Sequence, residues 1–155
     1  MNSFWQETLY NLLKPRVLSG EADIDISADV YTAYVELLRI EPVSALRDLV
    51  VDLDFNKATT GWDAVSTASD TLDVALFVKV DGTNYRYIEG ATQLVAVGGA
   101  AHTTAGRRFR VGAVDTTQDI SVRVKLSAER GDIEVPYRVN YCSESAPTIT
   151  AVAIP

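Results

Sequence analysis

The sequence has little of the chemistry on which catalytic and metal sites depend. It contains one cysteine, Cys142, and one histidine, His102. A single cysteine excludes an internal disulfide and any zinc site built from several thiolates. No Gly-x-Ser-x-Gly elbow, phosphate-binding glycine loop or His-Glu-x-x-His zinc helix occurs. These absences predict a protein that is not an enzyme and that holds no cofactor and no metal.

The two rare residues themselves do not favour a reaction. His102 lies in the small-residue segment 98–106, GGAAHTTAG, without a carboxylate close in sequence to orient its ring. We expect no catalytic or metal-binding role for it. Cys142 closes an alternating segment, and we expect its thiol to be buried and unreactive.

Long apolar runs and an excess of basic side chains are also absent. No stretch approaches the ~18 apolar residues that span a bilayer, and the start MNSFWQE lacks the cationic and apolar regions of a signal peptide. The 14 Lys and Arg against 21 Asp and Glu give a formal net charge of -7, which opposes binding to phosphate backbones. We therefore expect neither a membrane nor a nucleic-acid partner.

What is present is mostly two-residue alternation of apolar and polar side chains, the period of a strand with one wet face. In LRDLVVDLDF, residues 46–55, the apolar side chains from Leu49 to Phe55 share one face. Residues 72–80 and 85–87 lie on either side of the turn sequence DGTN and predict a hairpin. Further predicted strands are residues 34–40, 93–97, 107–114 and 148–154, although residues 28–41 also fit a helix.

The longest alternating segment runs through residues 117–142 and contains a turn signal at Arg130-Gly131. A hairpin about that turn would face apolar residues with apolar residues: Leu126 with Val135, Val124 with Tyr137, Val122 with Val139, and Ile120 with Tyr141. The same register sets Arg123 opposite Arg138, and this repulsion predicts a carboxylate from a third strand or another chain. Pro136 cannot donate to a ladder, which predicts an edge or a bulge.

The amino-terminal segment has a helical period instead. Ser3 is a suitable N-cap and Pro15 ends the pattern, so residues 3–14 predict a short helix. Such a helix is marginal alone. Its large side chains therefore require a neighbour, either in this chain or in another subunit: Phe4, Trp5, Leu9 and Tyr10.

Seven or eight strands, repeated turn signals and one helix predict an all-β fold, an antiparallel β-sandwich with a short N-terminal helix and arm. The choice between an immunoglobulin-like sandwich and a jelly roll stays open. Residues 17–22 are interpreted as a connector, so residues 1–22 form the helix and arm and residues 23–155 the sandwich. The terminal TITAVAIP would either close the sheet of its own subunit or add to the edge of a neighbour.

Two further features are candidate contacts. Arg107, Arg108 and Arg110 form a basic cluster, in which Arg108 and Arg110 share a strand face and Phe109 points opposite. Three arginines are few for a nucleic-acid site, and we interpret them as partners of carboxylates within the subunit or across an interface. Trp62, in an apparent loop, would be a sugar platform, an anchor in a partner's pocket, or a cover over the end of the sandwich.

Two sets of alternating acids could offer oxygen ligands to calcium. They are Glu21, Asp23 and Asp25, and Asp48, Asp52 and Asp54. Because any half-exposed strand shows such alternation and no EF-hand loop is present, we interpret both sets as solvated faces.

Five segments carry a resemblance to a known family: NSFWQETLYNLL, LRDLVVDLDF, LDVALFVKV, ISVRVKL and TITAVAIP. Together they resemble the capsid decoration, or cement, proteins of tailed bacteriophages. The resemblance implies a homo-oligomer, with a trimer favoured, that is made in the host cytoplasm and binds the major capsid protein on the outside of the virion. The expected partner-binding residues are Phe4, Trp5, Leu9, Tyr10, Trp62, Arg107, Arg108 and Arg110.

Two other functions fit the residues. A carbohydrate- or receptor-binding module of a phage tail or fibre would use Trp62, Tyr85, Tyr87 and Tyr137, although the three tyrosines are expected to face inward. Another virion subunit, such as a tail-tube or head-completion protein, would share the strands and differ in its assembly geometry.

Overall fold

A computed structural model of the chain describes residues 3–24, 33–55, 57, 62, 70–95, 106–111, 116–127 and 133–151. Within these ranges the chain forms one helix of several turns, α1 (Ser3–Leu13), and nine strands. The strands are β1 (Pro15–Ile24), β2 (Val35–Glu41), β3 (Arg47–Asp54), β4 (Thr71–Lys79), β5 (Tyr85–Val95), β6 (Gly106–Arg110), β7 (Ile120–Leu126), β8 (Ile133–Cys142) and β9 (Thr148–Ala151).

The nine strands form two antiparallel sheets. The four-stranded sheet has the order β1-β8-β3-β6, and the five-stranded sheet has the order β5-β4-β7-β2-β9. Buried side chains from both sheets belong to one hydrophobic core, so the sheets pack face to face. The prediction of an all-β antiparallel sandwich with a short N-terminal helix is confirmed.

The strand pairings describe one long hairpin rolled into two layers. β1 pairs with β8, β2 with β7, β3 with β6, and β4 with β5. The tip of this hairpin is the β4–β5 turn, and successive pairs alternate between the two sheets. This is the arrangement of a jelly roll, with β9 added beside β2. The carboxyl-terminal strand therefore extends a sheet of its own subunit.

The core is built from the apolar faces that alternation predicts. In β3 and the residue after it, Leu49, Val51, Leu53 and Phe55 are all buried. A fully buried side chain of this size contributes about 1.5 to 3 kcal/mol relative to its exposed state. The prediction that these residues share the inward face of one strand is confirmed.

The hairpin predicted at residues 81–84 is the tip of the roll. The Asp81 Oδ1 accepts hydrogen bonds from the backbone N–H of Thr83 at 3.0 Å and of Asn84 at 2.6 Å. Gly82 takes the left-handed conformation with φ 75°, which glycine adopts without a steric cost. The Asn84 side chain also donates a hydrogen bond from its Nδ2 to the Asp81 Oδ2. This bond, followed by the two backbone bonds, holds the pKa of Asp81 well below its usual range.

The predicted hairpin between the strands at residues 120–126 and 133–142 is wrong. β7 pairs with β4 and β2, whereas β8 lies in the other sheet beside β1 and β3. The apolar sides of both strands are buried as predicted, but they meet across the core instead of side by side in one ladder. Alternation therefore predicted the faces correctly and the partners incorrectly.

The separation of β7 from β8 also removes the predicted clash of two arginines. Arg123 lies opposite Glu36 on β2, and Arg138 lies opposite Asp52 on β3. An acidic residue thus occupies the ladder position opposite each arginine, and the predicted repulsion does not arise. Pro136 belongs to an interior strand, which pairs with both β1 and β3. The pairing with β3 includes Tyr137 but not Pro136, so the missing N–H of Pro136 removes no hydrogen bond from the β3–β8 ladder.

The interpretation of residues 17–22 as a connector is wrong. These residues lie in β1, which pairs with β8 from Pro15 opposite Cys142 to Ile24 opposite Ile133. The four-stranded sheet therefore begins at Pro15, inside the segment predicted as an arm. The other strand predictions differ in extent: residues 34–40 match β2, and residues 85–87 and 93–97 fall largely in the single strand β5.

Gly20 lies where β1 passes under the ring of Tyr137. A Cβ added at Gly20 would lie 2.5 Å from the Tyr137 Oη and 2.7 Å from its Cζ. We expect Gly20→Ala to lower the free energy of unfolding by about 1 to 3 kcal/mol, because the ring must leave its place. Chemical denaturation measures the loss.

The neighbouring Ser19→Ala is the matched control, since Ser19 is exposed, and it should change stability by less than about 0.5 kcal/mol. Adding Tyr137→Phe to Gly20→Ala removes the nearest atom and should restore part of the loss. Equal stability of Gly20→Ala and the parent protein would contradict this packing.

Candidate functional site

Helix α1 presents its described large side chains to solvent. Their exposed fractions are Phe4 63%, Trp5 65%, Leu9 57% and Tyr10 62%. Among the described residues, the helix makes no extensive contact with any strand. The Phe4 and Trp5 rings meet edge to face with centroids 5.8 Å apart, and the Lys14 ammonium lies 5.9 Å from the Tyr10 ring centroid. An aromatic surface therefore stands outside the core, next to the edge strand β1.

Trp62 does not belong to any exposed surface. Its side chain is only 1% exposed and is part of the hydrophobic core, and its backbone N–H donates to the Phe55 carbonyl at 2.6 Å. No ring face is left for a sugar or a partner. The interpretations of Trp62 as a sugar platform and as a partner anchor are wrong, and its position fits the cover over the core.

A groove lined by both charged and apolar residues lies along the four-stranded sheet. It has a volume of about 800 Å³, and a second depression of about 470 Å³ shares three of its lining residues, Asp52, Arg108 and Arg138. Phe109 is buried while Arg108 and Arg110 are exposed, which confirms the predicted facing of β6.

Carboxylates of the same sheet pair with two of the predicted arginines. The Arg108 Nε binds the Asp52 Oδ1, and its Nη2 lies 3.2 Å from the Asp52 Oδ2. The Arg110 Nη1 lies 3.9 Å from the Asp48 Oδ1. The Arg107 guanidinium lies over the Phe109 ring, 4.9 Å from its centroid. The prediction that these arginines serve as carboxylate partners is confirmed within the subunit for Arg108 and Arg110.

Three of the acids considered as calcium ligands, Glu21, Asp48 and Asp52, pair with basic side chains. Besides the two pairs in the groove, Lys57 binds Glu21 at 2.8 Å and also binds Glu134. The hydrogen bonds that the Lys57 ammonium donates to Glu134 and Glu21 raise the pKa of Lys57 to about 12. Within the part of the chain that the structure describes, no group of three or more His, Cys, Asp or Glu residues is arranged to hold a metal ion.

The outer face of the five-stranded sheet carries a cluster that we call the aromatic–arginine face: Tyr34, Phe77, Tyr85, Tyr87 and Arg123. The guanidinium of Arg123 lies 4.7 Å from the Phe77 ring centroid and 4.9 Å from that of Tyr85. Phe77 meets Tyr34 and Tyr87 edge to face, with centroid distances of 5.6 and 5.8 Å. Four aromatic rings and one cation thus form a continuous patch.

A hydrogen-bond chain fixes the back of this patch. The Arg123 Nε donates to the Ser121 Oγ at 3.1 Å, and the Ser121 hydroxyl donates to the Glu36 Oε2 at 2.5 Å. The other Glu36 oxygen lies 2.5 Å from the Arg39 Nη2. Burial, followed by the nearby charge of Glu36, raises the pKa of Tyr85 above its ordinary value.

The prediction that Tyr85 and Tyr87 face inward is wrong. They lie opposite Lys79 and Phe77, which point outward from β4, and Tyr87 is 52% exposed. Tyr137 is half-buried and packs against the core, as predicted. The segment YRYI mixes amphipathic and apolar residues, so alternation alone could not decide its face.

Comparisons with known proteins add little. No protein-family model matches the sequence, and the search of curated proteins finds no match. A solved structure of infectious bursal disease virus, Gx strain, is similar over 88% of this chain and 35% of that chain, with 12% identity and a TM-score of 0.36. The chain thus spans about a third of that viral protein, and a TM-score this low carries no argument about function.

The remaining predictions concern rare residues and membranes. Cys142 is buried, as predicted, and burial raises the pKa of its thiol. His102 and the turn at Arg130-Gly131 lie outside the described residues. No helix in the described ranges is long and apolar enough to span a membrane.

Sequence reasoning missed the aromatic–arginine face as a unit. Its members come from β4, β5 and β7, together with Tyr34 just before β2. One indication of this face is present in the sequence. The predicted position of Arg123 opposite Arg138 implied that another group must lie beside the Arg123 guanidinium. Without the pairing of β7 with β2 and β4, nothing in the sequence joins it to Phe77 or Tyr85.

Proposed function

We propose that this chain is a virion structural protein that decorates and stabilises the outside of a tailed-phage capsid by binding the major capsid protein. The observation that carries the proposal is the aromatic surface of helix α1, exposed beside a well-packed jelly roll. Jelly rolls occur in viral capsid domains and also in lectins, so the fold supports the proposal only by analogy.

The helix would act as a docking arm. A helix of 11 residues is marginal in water unless its apolar side is buried against a neighbour. Burying one large apolar side chain contributes about 1.5 to 3 kcal/mol, and α1 has four such side chains exposed. On a symmetric shell, many copies of this weak contact would add through effective concentration, which favours a trimer or another closed oligomer.

Removal of residues 1–14 tests this role. The cut is placed before Pro15 because β1 begins there and pairs with Cys142. We expect the truncated chain to keep its β-sheet circular dichroism and its cooperative unfolding. We expect its oligomerisation or its binding to purified capsids to weaken by about tenfold or more, as measured by native mass and by co-sedimentation.

Point variants on the full chain provide the matched pair. Trp5→Ala with Tyr10→Ala should weaken assembly in the same way, whereas Gln6→Ala, an exposed polar position of the same helix, should not. A full-length chain that is monomeric and does not bind capsids would overturn the proposal. So would a truncated chain that no longer folds, because the helix would then belong to its own core.

A further inference from the structure

Among the described residues on the outer face of the five-stranded sheet, Arg123 is positioned to bind an anion. Its guanidinium lies between the Phe77 and Tyr85 rings, and its Nε is bound to the Ser121 hydroxyl. These contacts hold the planar fork in one orientation and leave the two terminal nitrogens for another group. A guanidinium held in place loses less conformational entropy when it binds a carboxylate in a bidentate manner.

The other cations described around it already have carboxylate partners. The Lys79 Nζ lies 3.0 Å from the Asp119 Oδ2, and the Lys125 Nζ lies 3.6 Å from the Asp73 Oδ2. Glu36, which faces Arg123 across the ladder, is bound to Arg39. Among the described residues of this face, Arg123 therefore has no carboxylate within ion-pair distance, and its charge favours an anionic ligand.

Tyr87 places an exposed aromatic surface beside that cation. The side chain is 52% exposed, and its edge-to-face contact with Phe77 restricts the ring orientation. An exposed tyrosine ring offers an apolar face to the C–H side of a pyranose and a hydroxyl to its polar groups. A sugar stacked on Tyr87 would bring a ring substituent towards Arg123, because Phe77 touches both residues.

We propose that the aromatic–arginine face binds a carboxylated sugar, with the Tyr87 ring against the pyranose and the Arg123 fork on the carboxylate. An acidic sugar suits this site better than a neutral one, since only the acid brings a negative charge to the Arg123 guanidinium. A long polyphosphate suits it less, because the chain has a net charge of -7 and the described residues of this face include one cation, Arg123, without a carboxylate partner.

Two pairs of probes that differ in the carboxylate test the proposal. Methyl β-D-glucuronide is compared with methyl β-D-glucoside, and 3′-sialyllactose with lactose, by saturation-transfer NMR and by titration on the full chain. We expect at least one acidic sugar to bind with a Kd in the millimolar range or below, about tenfold or more tightly than its neutral partner. Binding of neither acid, or equal binding of acid and neutral partner, would overturn the proposal.

Substitutions then assign the two contacts. Arg123→Gln should reduce the affinity for the acid to that for the neutral sugar, and Arg123→Lys should recover only part of it. Tyr87→Ala should weaken both sugars. Arg47→Gln, at an exposed arginine of the other sheet, is the control that should leave binding unchanged.

A fold check by circular dichroism accompanies each variant. Retained preference for the acid in a folded Arg123→Gln would refute the assignment. The chain without residues 1–14 should still bind the sugar, because no residue of the face lies in the helix. This experiment distinguishes the sugar site from the proposed docking role of α1. Loss of sugar binding in the truncated chain would contradict a site formed by the five-stranded sheet alone.

Discussion

Trp62→Ala is expected to lower the free energy of unfolding by about 3 to 5 kcal/mol. The side chain is 1% exposed and lies in the core, and the core leaves a cavity when a ring of that size is removed. Denaturant unfolding followed by circular dichroism measures the change. A surface tryptophan that served as a sugar platform would change stability by less than about 0.5 kcal/mol, so the result separates the two interpretations.

Trp62→Phe is the matched variant. Within the described structure the Trp62 Nε1 is buried without a hydrogen-bond acceptor, so phenylalanine removes an unsatisfied donor while it keeps most of the apolar volume. We expect a loss clearly smaller than that of Trp62→Ala. Fluorescence gives an independent check, because Trp5→Phe leaves Trp62 as the remaining tryptophan and its emission should be that of an apolar site.

Phe109→Ala is expected to cost a similar 3 to 5 kcal/mol, about the value for large aromatic residues in cores. Among the described side chains of β6, Phe109 is the fully buried one, and it lies opposite Val51 on β3. Its loss would also remove the ring on which Arg107 lies. Hydrogen exchange should show the amides of β6 losing protection before those of β8, because β6 is an edge strand.

Arg108→Ala is the control at the adjacent residue. Its ion pair with Asp52 is largely exposed, with 74% of the arginine side chain in solvent, and such pairs contribute at most about 1 kcal/mol. A large loss with Arg108→Ala and a small one with Phe109→Ala would mean that β6 is turned over. That outcome would contradict both the sequence prediction and the observed register.

The fold was predictable wherever a strand has one wet and one buried face. In β3, β7 and β8 the apolar side of the alternation is the buried side, and each strand lies where its period indicates. The tip of the roll was predictable as well, because the residues that fix its turn, Asp81 and Gly82, are local. A strong local signal of this kind depends on no other part of the chain.

Strand partners were not predictable from the same pattern. An apolar face fits any other apolar face, so Val122, Val124 and Leu126 satisfy the hairpin with β8 and the observed ladder with β4 equally well. In a rolled hairpin, consecutive strands lie in different sheets except at the tip. A turn signal between two alternating segments therefore could not distinguish a hairpin from a crossing between layers.

The candidate surfaces divide in the same way. The need of α1 for a neighbour was predictable, because a short amphipathic helix with large apolar side chains is marginal alone. The sequence left open whether that neighbour lies in this chain, and the structure shows the side chains exposed. The aromatic–arginine face was not predictable, because its residues come from three strands and a flanking position. By itself the sequence determined the regularly alternating strands, such as β3, β7 and β8, their buried faces, the helix and the tip of the roll, all of which depend on neighbours along the chain. It did not determine β1, which was interpreted as a connector, or the outward direction of Tyr85 and Tyr87. Only the tertiary structure decided which strands pair and that Arg123 contacts Phe77 and Tyr85. The physical reason is that apolar alternation specifies which side of a strand is buried but not which distant strand pairs with it.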